Sequence, residues 1–124
     1  MIIAVDFDGT CVTHEYPLVG REIGADIVLK KLVENGHQLI LWTMRSGIEL
    51  EHAVQWFVDK GIPLYGVNEN PTQKSWTDSP KAYAQLYIDD AALGCPLVHL
   101  DGERPYVNWV EVEKILKSSG LTTR

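Results

Sequence analysis

The first ten residues, Met1-Ile2-Ile3-Ala4-Val5-Asp6-Phe7-Asp8-Gly9-Thr10, constrain the fold more than any other stretch. An apolar run with β-branched members reads as a buried strand, and it passes directly into an acid, an aromatic, a second acid and Gly-Thr. Two carboxylates therefore sit where a central strand ends. Side chains alternate along an extended chain, so Asp6 and Asp8 are expected on one side while Phe7 turns back to the core. Two like charges held that close call for a positive partner. A lone Asp-x-Asp, however, also fits an acid capping a turn beside a solvated neighbour.

The rest of the chain alternates strand and helix patterns. Residues 11 to 20 carry no helical period and contain Pro17 and Gly20, which reads as a loop or small flap. Ile23, Ile27, Val28, Leu29, Leu32 and Val33 fall on one helical face that stops at Asn35-Gly36. His37 to Thr43 is a second buried strand, ending in a hydroxyl as the first ends in a carboxylate. Ser46 and Glu49 have capping-box spacing and open a helix running to Lys60-Gly61. A third short strand is expected at 64–67, a loop from Asn68 to Trp76, a fourth strand at Gln85 to Ile88 ending in Asp89-Asp90, and a fifth at 97–100. Asn108 and Glu111 then open a last helix through Val112 and Leu116. This alternation predicts a mostly parallel, doubly wound α/β sheet with right-handed crossovers, whose chemistry lies at the carboxyl ends of the strands.

Length and composition narrow the function classes. With 124 residues, one domain spanning 1–124 is expected. No apolar run is long enough to cross a bilayer, and the opening strand lacks the basic n-region of a signal peptide, so a cytoplasmic protein without membrane partners is expected. The net charge of −6 disfavours non-specific nucleic-acid binding, which rewards clustered Lys and Arg. Cys11 and Cys95 have no metal-ligand spacing and read as reduced packing residues; the four histidines share no ligand spacing either.

Asp6, Asp8, Asp89 and Asp90 converging at one edge would repel one another unless a cation joins them. All-oxygen ligation suits Mg²⁺, which keeps several waters and favours a phosphate partner. Thr43, with a helix N-terminus just beyond it, supplies a hydroxyl and free N–H groups for phosphate oxygens. In order and spacing these elements resemble the haloacid dehalogenase (HAD) superfamily of phosphohydrolases. Ile2 to Thr10 matches its apolar strand followed by Asp-x-Asp-x-Thr, Leu39 to Thr43 its strand ending in a hydroxyl, and Leu86 to Asp90 its strand ending in two acids. Lys81, eight residues before Asp89, is preferred to Lys74 as the family's lysine.

The resemblance implies a Rossmann-like core of five strands in the order 5-4-1-2-3. It implies that Asp6 attacks phosphorus to form an aspartyl-phosphate and that Asp8 serves as general acid and base. Mg²⁺ would be held by Asp6, the Asp8 backbone carbonyl and Asp90, with Asp89 ligating or orienting a bound water. Thr43 and Lys81 would bind phosphoryl oxygens, and Gly9, Thr10, Met44 and Arg45 would complete the substrate site. Arg45 would grip a second anionic group of a phosphorylated substrate or stand as a solvated surface residue. The connections after Thr10 and between Thr43 and Lys81 are too short for the family's cap domain, which implies a large substrate or a second subunit covering an open site. Two readings from other classes compete: a receiver-like phosphate- and Mg²⁺-binding module, and a catalytically idle scaffold.

Overall fold

The computed structural model describes residues 1–123. Arg124, the last residue of the expected domain, lies outside the described residues. Strand β1 (Ile2–Val5) is central, as its two-sided burial requires: it pairs in parallel with β2 (Gln38–Leu41) on one side and β4 (Leu86–Ile88) on the other. Val5 is in register with both Leu41 and Ile88, so the three chains leave the sheet side by side. Strand β3 (Gly66–Val67) pairs outside β2, giving the order β3-β2-β1-β4.

The fifth parallel strand is not part of this sheet. Leu97–Val98 (β5) instead pairs antiparallel with Tyr106–Val107 (β6) in a separate two-stranded ribbon. Asp101-Gly102, a turn-favouring dipeptide with Gly102 at φ 77°, lies between the two and allows the chain to double back. The ribbon braces the loop after β1: the Val107 N–H donates to the Gly9 carbonyl at 2.9 Å.

The winding also differs from expectation. Helices α1 (Ala25–Glu34), α2 (Gly47–Lys60) and α3 (Trp109–Ser118) bury their apolar stripes in one core with Ile3, Val5, Leu39, Leu41 and Ile88. The alternate residues Ala4 and Ile40 form a smaller cluster with Ala84, lined by Ile2, Trp42, Tyr65 and Tyr87, to which no helix contributes. Right-handed crossovers from β1 to β2 and from β2 to β3 step in one direction, so α1 and α2 must share a face. The return from β3 to β4 covers the other face and contains only a 3-10 turn at Gln73–Ser75. Buried Asn70 and Gln73 hold this loop in place of a helix. Asn70 Nδ2 donates to the Tyr83 carbonyl, and Gln73 Nε2 donates to the carbonyls of Ser79 and Lys81, each at 3.0 Å.

Helix ends follow local chemistry unevenly. Asn108 caps α3 by accepting the Glu111 N–H at 3.2 Å, whereas Ser46 precedes α2 in extended conformation without a side-chain cap bond. No helix among the described residues is long and apolar enough to cross a membrane.

Candidate functional site

Where β1 and β4 end, strand alternation sends Phe7 into the core, fully buried against Trp56 and Phe57, and leaves Asp6 at the sheet's edge beside Asp89 and Asp90. One oxygen from each of these three carboxylates lies within 4.8 Å of the others. Buried Thr10 holds the group from behind. Its hydroxyl donates to Asp6 Oδ2 at 2.9 Å, lies 3.3 Å from Asp90 Oδ1, and accepts the Asp90 N–H at 3.0 Å. Trp109 Nε1 donates to the Thr10 carbonyl at 2.7 Å, so α3 fixes the loop that fixes the acids.

Crowding sets the protonation of the cluster. Burial, then the Asp89 charge and a hydrogen bond shared with Asp90, push Asp6 up to about 8, against the pull of the Thr10 hydroxyl and Phe7 amide. Asp89 is raised by burial and by Asp90, with the Ala91 N–H opposing. Burial works on Asp90 in the same sense, but its hydrogen bonds with Asp6 and His14 outweigh it and hold Asp90 below the usual range. Without a cation, burial and the neighbouring acids favour the protonated form of Asp6. Three oxygen donors short of positive charge form a set that could hold a metal ion.

The cleft in front of the cluster has a volume of about 590 Å³. Asp6, Asp8, Thr43, Met44, Arg45, Asp89 and Asp90 all line it, joined by His14, Tyr16, Ala91 and Arg104. Asn68 and Trp42 line an adjoining hollow that shares Asp6, Thr43 and Asp89. Thr43 is positioned by Asn68, whose Oδ1 accepts its N–H at 2.8 Å from a left-handed turn at φ 54°. The Thr43 oxygen in turn accepts the Arg45 N–H at 3.2 Å. Met44 is almost fully exposed at the rim.

Asp8 and Arg45 depart from expectation. The Asp8 carboxylate is not in the three-acid cluster. It is held in a bidentate pair, accepting from Arg45 Nε at Oδ2 and from Nη2 at Oδ1, both at 2.8 Å. Arg45 does not stand solvated: its side chain is 1% exposed. Its remaining N–H groups donate to the carbonyls of Leu18 (2.7 Å), Glu49 (3.1 Å) and Pro17 (3.3 Å). The fork saturates the guanidinium, which places Arg45 in the wall of the cleft.

Gly9 and Thr10 likewise stand behind the carboxylates rather than lining the cleft. Gly9 has φ 79°, and a Cβ there would lie 2.0 Å from His14 Nε2, so only glycine admits the His14 flap. His14 Nε2 donates to Asp90 Oδ2 at 2.9 Å. Lys81 does not line the cleft; its ammonium lies 5.5 Å over the Tyr87 ring. Lys74 lines a different hollow with Glu69, Asn70 and Asp78. Among the described residues, the cationic side chains at the cleft are thus Arg45 and Arg104, with the His14 imidazole beside them.

A solved structure of a conserved protein from Bacteroides thetaiotaomicron is similar to this chain at 37% identity, with a TM-score of 0.78 over 96% of this chain and 91% of that one. The chain belongs to that protein's family. No family model and no curated protein matches the sequence. Family membership therefore accounts for the scaffold, and function has to be argued from the site.

Of the cleft residues that sequence reasoning did not assign, His14 carried a local signal, lying in the flap directly after the Asp-rich turn. Asn68 was legible as a turn former but not as the partner of Thr43, which lies 25 residues away. Arg104 enters the cleft through the β5–β6 ribbon, an element the strand pattern did not reveal.

Proposed function

We propose that the protein is a Mg²⁺-dependent phosphomonoesterase of the HAD type, acting through Asp6. The observation that carries this reading is the meeting of Asp6, Asp89 and Asp90 at the carboxyl ends of adjacent parallel strands, with Thr43 from the next strand in the same cleft. Asp6, Asp89 and Asp90 would hold the ion, which when bound offsets the charge of a phosphoryl group. That charge also removes the reason for Asp6 to keep its proton, freeing the carboxylate to attack phosphorus. The Thr43 hydroxyl, whose oxygen already accepts the Arg45 amide, has its proton free to bind a phosphoryl oxygen. Asp8 stands at the cleft wall to exchange a proton with the leaving oxygen.

The cleft is open, with no inserted cap over it, and the residues at its rim are Tyr16, Met44 and Arg104. A phosphoryl group carried on a larger or partly anionic molecule suits that rim. A second reading, a Mg²⁺- and phosphate-binding module without turnover, draws on the position of Lys81, whose ammonium rests on Tyr87 outside the cleft. Hydrolysis of 4-nitrophenyl phosphate by the wild type with Mg²⁺, its loss in EDTA and its loss in Asp6→Asn are the expected results. Full activity in Asp6→Asn would remove Asp6 as nucleophile, and inactivity of the wild type toward a panel of phosphorylated sugars, nucleotides and acids would favour the binding module.

A further inference from the structure

Arg45 has no donor left for a ligand. Of its five N–H groups, two go to the two oxygens of Asp8 and three to the carbonyls of Pro17, Leu18 and Glu49. Its guanidinium carbon lies 5.0 Å from the centre of the Phe7 ring and 5.1 Å from that of Tyr16, so the plane is stacked as well as bonded. A side chain that grips substrate would keep at least one N–H for it, and a solvated one would not be stripped of water. Four separate pieces of chain meet on this group: the turn after β1, the flap at 16–18, the first turn of α2 and the segment after β2 that carries Arg45 itself.

We infer that Arg45 is a positioning residue, a buried fork that fixes the Asp8 carboxyl and locks the flap against it, so that proton exchange at the leaving oxygen depends on Arg45 although Arg45 touches no substrate. This inference rests on the phosphomonoesterase reading above. Each Asp8 oxygen gives one lone pair to the fork and keeps one for the cleft that Asp8 lines. In the first displacement an Asp6 oxygen bonds to phosphorus, the ester P–O bond breaks, and the leaving oxygen takes that bond pair and the proton of Asp8. In the second, water bonds to phosphorus and gives a proton back to Asp8, and the bond between phosphorus and Asp6 breaks, returning its pair to Asp6 and releasing phosphate. The fork grips both Asp8 oxygens at 2.8 Å and so holds the carboxyl in one orientation for both transfers.

The test compares two leaving groups in Arg45→Lys, which keeps the charge but not the fork. An alkyl phosphate needs a proton at its departing oxygen; 4-nitrophenyl phosphate leaves as a stabilised phenolate and does not. The expected result is a fall in kcat/KM, which reports the first displacement without the shared hydrolysis of the aspartyl-phosphate, on the order of 10²-fold for the alkyl ester, the scale of positioned proton transfer, with little change for the aryl ester. Equal falls in kcat/KM on both esters would overturn the inference in favour of a structural or a substrate-gripping role. Should lysine at 45 not fold, Tyr16→Leu removes one stacking face at an exposed residue. The alkyl-to-aryl ratio of kcat/KM should then drop, and an unchanged ratio counts against positioning. If the wild type hydrolyses neither these esters nor any member of the panel of phosphorylated sugars, nucleotides and acids, the phosphomonoesterase reading has failed, and the lock itself is read by amide exchange. Arg45→Lys should speed exchange at Thr13 and Leu18 of the flap but not in α1, and unaltered flap exchange would refute the lock.

Discussion

Replacing Asp6 with Asn should stabilise the metal-free protein at alkaline pH, which is the reverse of what removing a hydrogen-bonded side chain ordinarily does. Asp6 is raised from 3.8 to about 8, chiefly by burial and then by Asp89 and Asp90. Between those values the folded chain holds a proton that the unfolded chain has lost, so stability falls as pH rises through this window and the loss is complete above about 8. Asp89, also raised, acts in the same sense; Asp90, held low, contributes stability that is lost only in acid below the window. A displacement of about four pH units at about 1.4 kcal/mol each sets a ceiling near 6 kcal/mol, and water in the open cleft brings the observable cost to about 2–3 kcal/mol. Asn is neutral throughout and its carbonyl still accepts the Thr10 hydroxyl. Urea unfolding followed by tryptophan fluorescence in EDTA, at intervals from pH 5 to pH 9, measures the difference directly. The wild type should lose stability relative to Asp6→Asn as pH rises, with most of the divergence accumulated by pH 8. Parallel curves for the two proteins would refute a proton held on Asp6, and with it the claim that the cluster lacks positive charge.

Three further outcomes follow from the same geometry. Mg²⁺ at about a hundredfold excess over its dissociation constant should stabilise the wild type at pH 8 by about 2.7 kcal/mol, read as a shift in thermal midpoint, and should leave Asp6→Asn nearly unmoved. Gly9→Ala should cost about 1–3 kcal/mol in urea unfolding and displace His14 from Asp90, since the new Cβ meets His14 Nε2 at 2.0 Å and Asp90 Oδ2 at 2.6 Å from a left-handed backbone; detachment should appear as a changed His14 ring resonance by NMR. Trp109→Phe keeps an aromatic ring but removes the indole N–H, leaving the Thr10 carbonyl without its buried donor, for an expected loss of about 1–3 kcal/mol in the same assay.

Which parts of this site were legible in the sequence depends on how far each residue's position is set by its own strand. Asp6, Thr43, Asp89 and Asp90 end strands or follow them within two residues, so parallel register between neighbours brings them together once strand order is known. Phe7 was placed by alternation alone. Lys81 precedes β4 by several residues and passes through a loop held by Gln73; nothing in the spacing to Asp89 specifies that its ammonium stops at Tyr87. The role of Arg45 was hidden for a different reason: its partners include backbone carbonyls at 17 and 18, groups that every residue carries and that no sequence pattern marks.

The winding of the sheet shows that legibility can exceed what a pattern suggests. Alternating strands and helices predict helices on both faces, yet the expected strand order already contradicts this. Two successive right-handed crossovers in one direction put α1 and α2 on one face, and the only connection crossing back was read as a loop from 68 to 76. The second face therefore had to be covered without a helix, and buried Asn70 and Gln73 supply the backbone bonds that a helix would have made for itself. The consequence reaches the site. Asn68, at the start of that loop, holds Thr43, so the side of the cleft nearest β2 is built on irregular chain. The opposite side rests on Thr10, Trp109 and α3 and is fixed by buried bonds. Asp6 lies between the two, held by the Thr10 hydroxyl of the second and lining a hollow with Thr43 and Asn68 of the first.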